Sequence, residues 1–264
     1  MRRTEEKYNG THVIIEEFKD FRDLERVTNS RPFIWGDNSR EVTDEEYFRK
    51  CSSYGEAQSY LLNGYNENVD KMVKGVHALQ KAGRSQKIKR YADVVGFTPI
   101  VPNAIMGLPT SMLNQKKVQV QSKIITIVCD IGVSGGVKAD KVLEFGCKLI
   151  NCIMNLEKNG YRVRLDVLQS FSTKAEQYWL RVPLKNENQP VNIKRLSFPL
   201  THVAFLRYIC FDWVERLPKS KELSGYGYPV YVEKQYRDNI EHYLRDNEVY
   251  IDFKTDIDEV FGQK

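Results

Sequence analysis

Residues 124–167 read IITIVCDIGVSGGVKADKVLEFGCKLINCIMNLEKNGYRVRLDV, and the order of patterns in this stretch decides the fold. A continuous apolar run comes first, a glycine-rich turn follows Asp130, and apolar residues then recur at helical spacing from Lys138 to Lys158. Continuous apolar strands are typical of parallel sheets. The alternating run after the helix predicts a second strand, paired parallel to the first through a right-handed crossover. The stretch therefore predicts an α/β fold on a mostly parallel sheet.

The patterns that follow extend this unit toward the C-terminus. EQYWLRVPLK alternates and predicts an edge strand, and EVYIDF near the end of the chain predicts a closing strand after a polar amphipathic helix. Between them, NIKRLSFPLTHVAFLRYICFDWVERLP predicts one strongly apolar helix that ends at Pro218. It has more apolar surface than one face needs, which indicates either burial between the sheet and the N-terminal part or a contact surface.

The N-terminal part has a different character. Helical spacing in DFRDLERVTNS and NENVDKMVKGVHALQKAG, and a capping-box pattern at Thr43 and Glu46, predict helices. Residues 84–123 are rich in proline and basic clusters and predict irregular or short-strand structure that wraps the core. We predict an α-rich N-terminal extension over residues 1–120, packed on an α/β domain over residues 121–264.

Composition places limits on function. The net charge of +5 is compatible with nucleic-acid contact without demonstrating it. The cysteines form no CxxC pair, which argues against zinc, and their apolar settings indicate a reducing compartment. No stretch approaches about 18 continuous apolar residues, and the N-terminus lacks an apolar signal region. We therefore expect a cytoplasmic protein without a membrane partner.

Two resemblances add to this reading. The order of strand, acidic turn, helix, strand, edge strand, long helix and further strand, with the phrase LEKNGYRVRL, resembles the von Willebrand factor A-like domain over about residues 120–254. The whole chain, particularly GEAQSYLLNGY and DVVGFTPIVPNAIMGLPTSMLN, looks like uncharacterised tailed-phage proteins. The first resemblance implies a three-layer sheet of von Willebrand factor A type, and the second implies the cytoplasm of an infected bacterial host.

The first resemblance also implies a metal site. Members of that family bind a divalent ion through the pattern D-x-S-x-S, and the corresponding stretch here is DIGVS, with Gly132 in place of the first hydroxyl. The implied ligands of Mg²⁺ or another divalent cation are Asp130, Ser134 and Thr201, completed by a late acid such as Asp252 or Asp256. The alternative is that the glycines only turn the chain. A phosphate cradle is a weaker alternative, because neither phosphate-loop pattern is present.

A second candidate site lies in the basic segment KAGRSQKIKRY. Five cations and an aromatic ring follow closely on one another and could contact phosphates and stack on a base: Lys81, Arg84, Lys87, Lys89, Arg90 and Tyr91. A charge run after a helix end is also typical of a solvated loop, so both readings stay open.

The histidines give no catalytic pattern. Each of them lacks a partner at catalytic spacing in the sequence. We expect a non-enzymatic protein-interaction or assembly module, phage-encoded, with a contact site at the top of the sheet and a phage protein, a host protein or a second copy as partner. The alternative is a nucleic-acid-binding protein that uses residues 81–91.

Overall fold

The structure is a computed structural model that describes residues 1–34, 40, 51–79, 88–117, 123–133, 137–173, 176–222 and 234–261. Its strands are β1 (Arg2–Tyr8), β2 (Thr11–Glu17), β3 (Ile88–Asp93), β4 (Thr98–Pro99), β5 (Met112–Lys117), β6 (Ile124–Asp130), β7 (Arg162–Ser172), β8 (Glu176–Lys185) and β9 (Glu248–Ile251). Its helices are α1 (Phe21–Asn29), α2 (Tyr54–Asn63), α3 (Asn66–Leu79), α4 (Val101–Ile105), α5 (Ala139–Lys158), α6 (Ile193–Thr201), α7 (Phe211–Val214), α8 (Lys234–Tyr243) and α9 (Ile257–Val260).

The large sheet is mixed and mostly parallel. Its strand order is β1-β2-β8-β7-β6-β9. β6 pairs parallel with both β7 and β9, β2 pairs parallel with β8, and the β1–β2 and β7–β8 pairs are antiparallel. The predicted succession of β6, α5 and β7 is confirmed, because strong local patterns specify each of the three elements.

The N-terminus contributes to the same sheet. β1 and β2 form a hairpin that the sequence analysis did not predict, and β2 lies alongside β8. The prediction that β8 is an edge strand is therefore wrong, since β2 and β7 flank it on its two sides. The division of the chain near residue 120 stays a prediction.

Helices cover both faces of the sheet. On one face, α8 packs Ile240 against Val128, Leu168 and Trp179. The other face carries the larger apolar core, which includes buried residues of α5 and α6. β7 and β8 are buried along most of their lengths, as expected for strands of a sheet between two helical layers.

The predicted long apolar helix is interrupted. Pro199 lies inside α6, and His202 ends that helix in an extended conformation with φ −127° and ψ 119°. The chain then forms a π-helical segment, Phe205–Cys210, before α7. Trp213 and Tyr208 are fully buried, and Phe171 of β7 packs edge-on against Phe211. Of the two readings of this apolar stretch, the structure shows burial.

Local capping explains where two N-terminal helices begin. The Asp20 side chain accepts a hydrogen bond from the backbone N–H of Asp23 at the start of α1, and Ser53 does the same for Glu56 at the start of α2. The predicted capping box at Thr43 and Glu46 lies outside the described residues.

Residues 88–117 form a separate unit that we call the arm. Its strands pair antiparallel in the order β3-β5-β4, and α4 follows β4. We predicted that this region wraps the core, but several of its large apolar side chains are exposed: Val94, Val95, Phe97, Val101, Ile105 and Met106. Among the described residues, no helix combines the length and apolar character needed to cross a membrane.

Candidate functional site at the top of the sheet

A cleft lies where β6 ends. It contains about 440 Å³ of space between protein atoms, part of it open to solvent. Asp130 lines it at the end of β6, and most of the remaining lining is apolar: Ile131, Val142, Phe145, Val203, Leu206 and Phe253. The cleft is therefore an apolar pocket with a carboxyl group in its wall.

The topology explains why a cleft forms here. α5, which follows β6, packs with the larger core on one face, while α8, which precedes β9, covers the opposite face. β6 and β9 are parallel neighbours. The carboxyl ends of parallel neighbours lie at the same edge of a sheet, where α/β proteins commonly bind ligands.

Asp130 is buried, and its carboxylate accepts hydrogen bonds from uncharged groups. One carboxylate oxygen, Oδ1, accepts a hydrogen bond from the Gly132 backbone N–H at 2.7 Å, and Oδ2 accepts one from the Tyr250 hydroxyl at 3.2 Å. No Lys, Arg or His among the described residues forms an ion pair with it. Burial raises the pKa of Asp130 from 3.8 to about 6, although the two hydrogen bonds oppose the shift and Asp252 adds to it.

The position of Gly132 bears on the implied metal site. A Cβ atom at this position would lie 3.0 Å from Asp130 Oδ1. A serine, which the D-x-S-x-S pattern requires here, would therefore crowd the carboxylate unless the loop shifted. The glycine fits because its N–H approaches Oδ1 closely enough to hydrogen bond.

Thr201 lies at the end of α6, and its hydroxyl is already engaged. It donates to the backbone oxygen of Ser197 and accepts a hydrogen bond from Asn68 Nδ2 at 2.9 Å. Among the late acids, Asp252 accepts hydrogen bonds from Thr255 and Lys254, and Asp256 caps α9.

Metal binding at Asp130 stays a prediction. Ser134 lies outside the described residues, so the structure does not show whether it approaches Asp130. Within the described part of the chain, no three His, Cys, Asp or Glu side chains come together as a metal site.

A buried amide adds a second polar group beside Asp130. Gln169, on the neighbouring strand β7, has its Nε2 atom 3.8 Å from the position that a Cβ on Gly132 would take. Its Nε2 donates to the backbone oxygen of Ser170, whereas its buried Oε1 has no hydrogen-bond partner in the described structure. Gln169 was not among the predicted site residues, although its place near the end of a parallel strand was a usable signal.

His202 lines the cleft on the side opposite the sheet. Its Nδ1 accepts a hydrogen bond from the backbone N–H of Ala204 at 3.1 Å, and its ring packs edge-on against Tyr65. These contacts hold the chain at the break between α6 and the π-helical segment. π-Helical turns are rare and occur often at functional sites.

The basic segment is described only in part. Lys81, Arg84 and Lys87 lie outside the described residues. In the arm, the strand register sets Lys89 opposite Lys116, and the Arg90 and Tyr91 side chains are exposed. The structure thus places two of the six predicted nucleic-acid-binding side chains at the surface.

The comparisons with known proteins give one match. No curated protein and no solved structure is similar enough to this chain to count as a match. A family described as a domain of unknown function, DUF7192, matches residues 3–261. The matched range begins in β1 and extends past α9, so it includes the arm and the cleft. The chain belongs to the DUF7192 family, whose description assigns no function.

Proposed function

We propose that this protein is a non-enzymatic protein-interaction module that contacts its partner through the arm. The observation that carries this proposal is a concentration of exposed apolar side chains in one short segment. Eight large apolar residues are between 37% and 81% exposed: Tyr91, Val94, Val95, Phe97, Val101, Ile105, Met106 and Leu108. Single exposed apolar residues are ordinary, but such a concentration marks an interaction surface.

The size and charge of this surface indicate its partner. A standard interface buries about 800 Å² on each partner, so it needs several large side chains that are exposed together, as these are. No charged residue occurs from Val94 to Gln115, whereas Lys89, Arg90, Lys116 and Lys117 lie at the base of the arm. Two copies docked base to base would oppose like charges. The favoured partner is another protein with an apolar groove and an acidic rim.

The test compares partner capture by the wild-type protein and by a Phe97→Asp, Ile105→Asp double variant. The matched control is Leu62→Asp, which places a charge on an exposed apolar residue of α2 away from the arm. Captured proteins are then purified and titrated against each form. We expect the arm variant to weaken saturable binding at least tenfold and the control to retain it. Equal binding by all three forms would contradict the proposal, as would a second copy as the only occupant in sedimentation experiments.

The source and scaffold are also parts of this proposal. The succession of β6, α5, β7 and β8, with β9 parallel to β6, supports a von Willebrand factor A-like domain. The resemblance to tailed-phage proteins supports a phage-encoded protein that acts in the bacterial cytoplasm and binds a phage or host protein.

The alternative function is nucleic-acid binding through residues 81–91. It is favoured by the exposed side chains of Arg90 and Tyr91, a cation next to an aromatic ring on which a base could stack. The test is fluorescence anisotropy with labelled single-stranded DNA and RNA at increasing salt. Replacing Lys87, Lys89 and Arg90 with Ala should abolish binding, while the control Lys71→Ala, Lys74→Ala on α3 should not. Absence of binding at low salt would remove this alternative.

A further inference from the structure

We propose that the cleft beside Asp130 binds an organic cation, a primary ammonium or guanidinium group on an apolar stem. This inference is independent of the arm and goes beyond the proposed function. The surroundings of Asp130 differ from those of other buried carboxylates in the protein. Four other buried carboxylates contact arginines: Glu16 with Arg31, Asp166 and Glu248 with Arg181, and Asp212 with Arg40.

Asp130 departs from that arrangement. Its hydrogen bonds come from a backbone N–H and a tyrosine hydroxyl, both uncharged. A carboxylate has about four acceptor positions, so two remain after these bonds. A buried carboxylate that lacks a cation is unfavourable. Because Asp130 lines a cleft that is partly open to solvent, a ligand can supply the missing charge.

The cleft walls suit the stem of such a ligand. Phe145 and Phe253 lie with their ring centroids 5.5 Å apart on the cleft wall. Aromatic faces attract organic cations through their quadrupoles. Val142 and Leu206 extend the apolar surface. The wall therefore offers both dispersion contacts and a favourable field for a cationic group.

The acceptor positions that remain on Asp130 favour a ligand that donates hydrogen bonds. A phosphate or carboxylate ligand would be repelled by the Asp130 carboxylate, and a neutral apolar ligand would leave those positions unpaired.

An organic cation fits better than a divalent metal. Magnesium wants about six oxygen ligands in octahedral geometry. The Thr201 hydroxyl is engaged by Ser197 and Asn68, position 132 has no hydroxyl, and the surrounding walls are apolar. An ammonium group needs only two or three acceptors and tolerates an apolar shell.

The experiment is a calorimetric or NMR titration of the full chain at neutral pH. The probes are 2-phenylethylammonium and n-butylammonium, their neutral counterparts 2-phenylethanol and 1-butanol, Nα-acetyl-lysine methylamide, and MgCl₂. The variants are Asp130→Asn and the control Glu144→Gln, which removes an exposed carboxylate from α5, the helix that also carries Phe145. We expect saturable binding of an ammonium probe, at least tenfold weaker for the matched alcohol and for Asp130→Asn, and unchanged in Glu144→Gln.

Several outcomes would overturn the inference. Equal affinity for amine and alcohol would show that the cleft recognises only the apolar part of the ligand. Equal affinity of wild type and Asp130→Asn for the amine would show that the Asp130 carboxylate does not take part in binding. Saturable Mg²⁺ binding with no amine binding would assign the cleft to a metal. The comparison of amine with alcohol uses the wild-type protein alone, so it decides the question even if a variant fails to fold. Tighter binding of the lysine derivative than of the free amines would identify a protein side chain as the source, and the reverse order a free amine.

Discussion

Replacing Asp130 with Asn should stabilise the folded protein at neutral pH. The substitution keeps the shape of the side chain, and the Asn oxygen can still accept the hydrogen bond that the Gly132 N–H donates at 2.7 Å. The new amide N–H₂ can donate to the Tyr250 hydroxyl, which now donates to Asp130. The main change is the removal of a buried charge for which no described Lys, Arg or His supplies an ion pair.

The magnitude and its pH dependence follow from the pKa of Asp130, which burial raises from 3.8 to about 6. One pKa unit corresponds to about 1.4 kcal/mol, so the folded state loses about 3 kcal/mol when Asp130 is fully ionised. Because the pKa of this carboxyl group is higher in the folded state than in the unfolded state, the stability of the fold falls as the pH rises. The loss is absent below pH 3.8, grows between pH 3.8 and about 6, and is complete above that range.

Urea unfolding of both proteins at pH 4, 5, 6 and 7 measures this difference. We expect the two proteins to have similar free energies of unfolding at pH 4, and Asp130→Asn to be more stable by about 1–3 kcal/mol at pH 7. Glu144→Gln serves as the control, because Glu144 is exposed and pairs with Lys148 on the same helix. A variant that is less stable at pH 7, or a gain that is equal at every pH, would refute the assignment of Asp130 as an unpaired buried carboxylate.

Three further predictions concern other parts of the molecule. Gly132→Ser should destabilise the protein by about 1–3 kcal/mol in urea unfolding, because its Cβ would lie 3.0 Å from Asp130 Oδ1, and calorimetry should show no gain of Mg²⁺ binding; tight Mg²⁺ binding would show that the loop adapts. Arg181→Met should cost about 3–5 kcal/mol, since it leaves Asp166 and Glu248 buried without their shared cation, whereas Arg26→Met at the surface should change stability by less than about 1 kcal/mol; equal effects would contradict the burial argument. Trp213→Phe should cost about 1–3 kcal/mol by removing the 2.7 Å indole hydrogen bond to buried Glu16, and an unchanged unfolding midpoint would oppose this.

The sequence predicted the centre of the fold because the relevant patterns are local. β6, α5 and β7 each carry an unbroken apolar or periodic signal, and their order leaves one favourable connection. The N-terminal hairpin escaped prediction for the opposite reason. β1 reads RRTEEKY and is mostly exposed, so its strand character comes from pairing with β2 rather than from an apolar pattern.

The break after α6 shows a second limit of local patterns. The apolar residues from Leu196 to Val214 are uniform enough to predict one helix, yet Pro199 and the extended conformation of His202 interrupt it. Burial on all sides removed the amphipathic signal that would have located each segment. The π-helical turn that results, Phe205–Cys210, supplies part of the cleft wall.

The sequence predicted where the candidate site lies but not which chemical groups surround it. The resemblance to the von Willebrand factor A-like domain implied Asp130, but the uncharged surroundings of its carboxylate depend on residues distant in sequence, such as Tyr250. The sequence contains an indication of the apolar surface of the arm that was not used in the predictions. The stretch from Val94 to Gln115 contains no charged residue. A long uncharged stretch can lie inside a core or at an interface, and the sequence does not separate these two cases.

The arm exposes apolar side chains to water, and the cleft buries a charged side chain. Both are unfavourable, but for different physical reasons. Exposed apolar residues such as Phe97 and Ile105 lower solubility without reducing the stability of the fold, whereas the buried Asp130 carboxylate reduces stability in a way that depends on pH. Local violations of this kind concentrate at functional sites. Because the two terms are independent, the Asp130→Asn variant should leave the solubility of the protein unchanged, and the Phe97→Asp, Ile105→Asp variant should leave the pH dependence of unfolding unchanged. The two sites can therefore be tested separately within one protein.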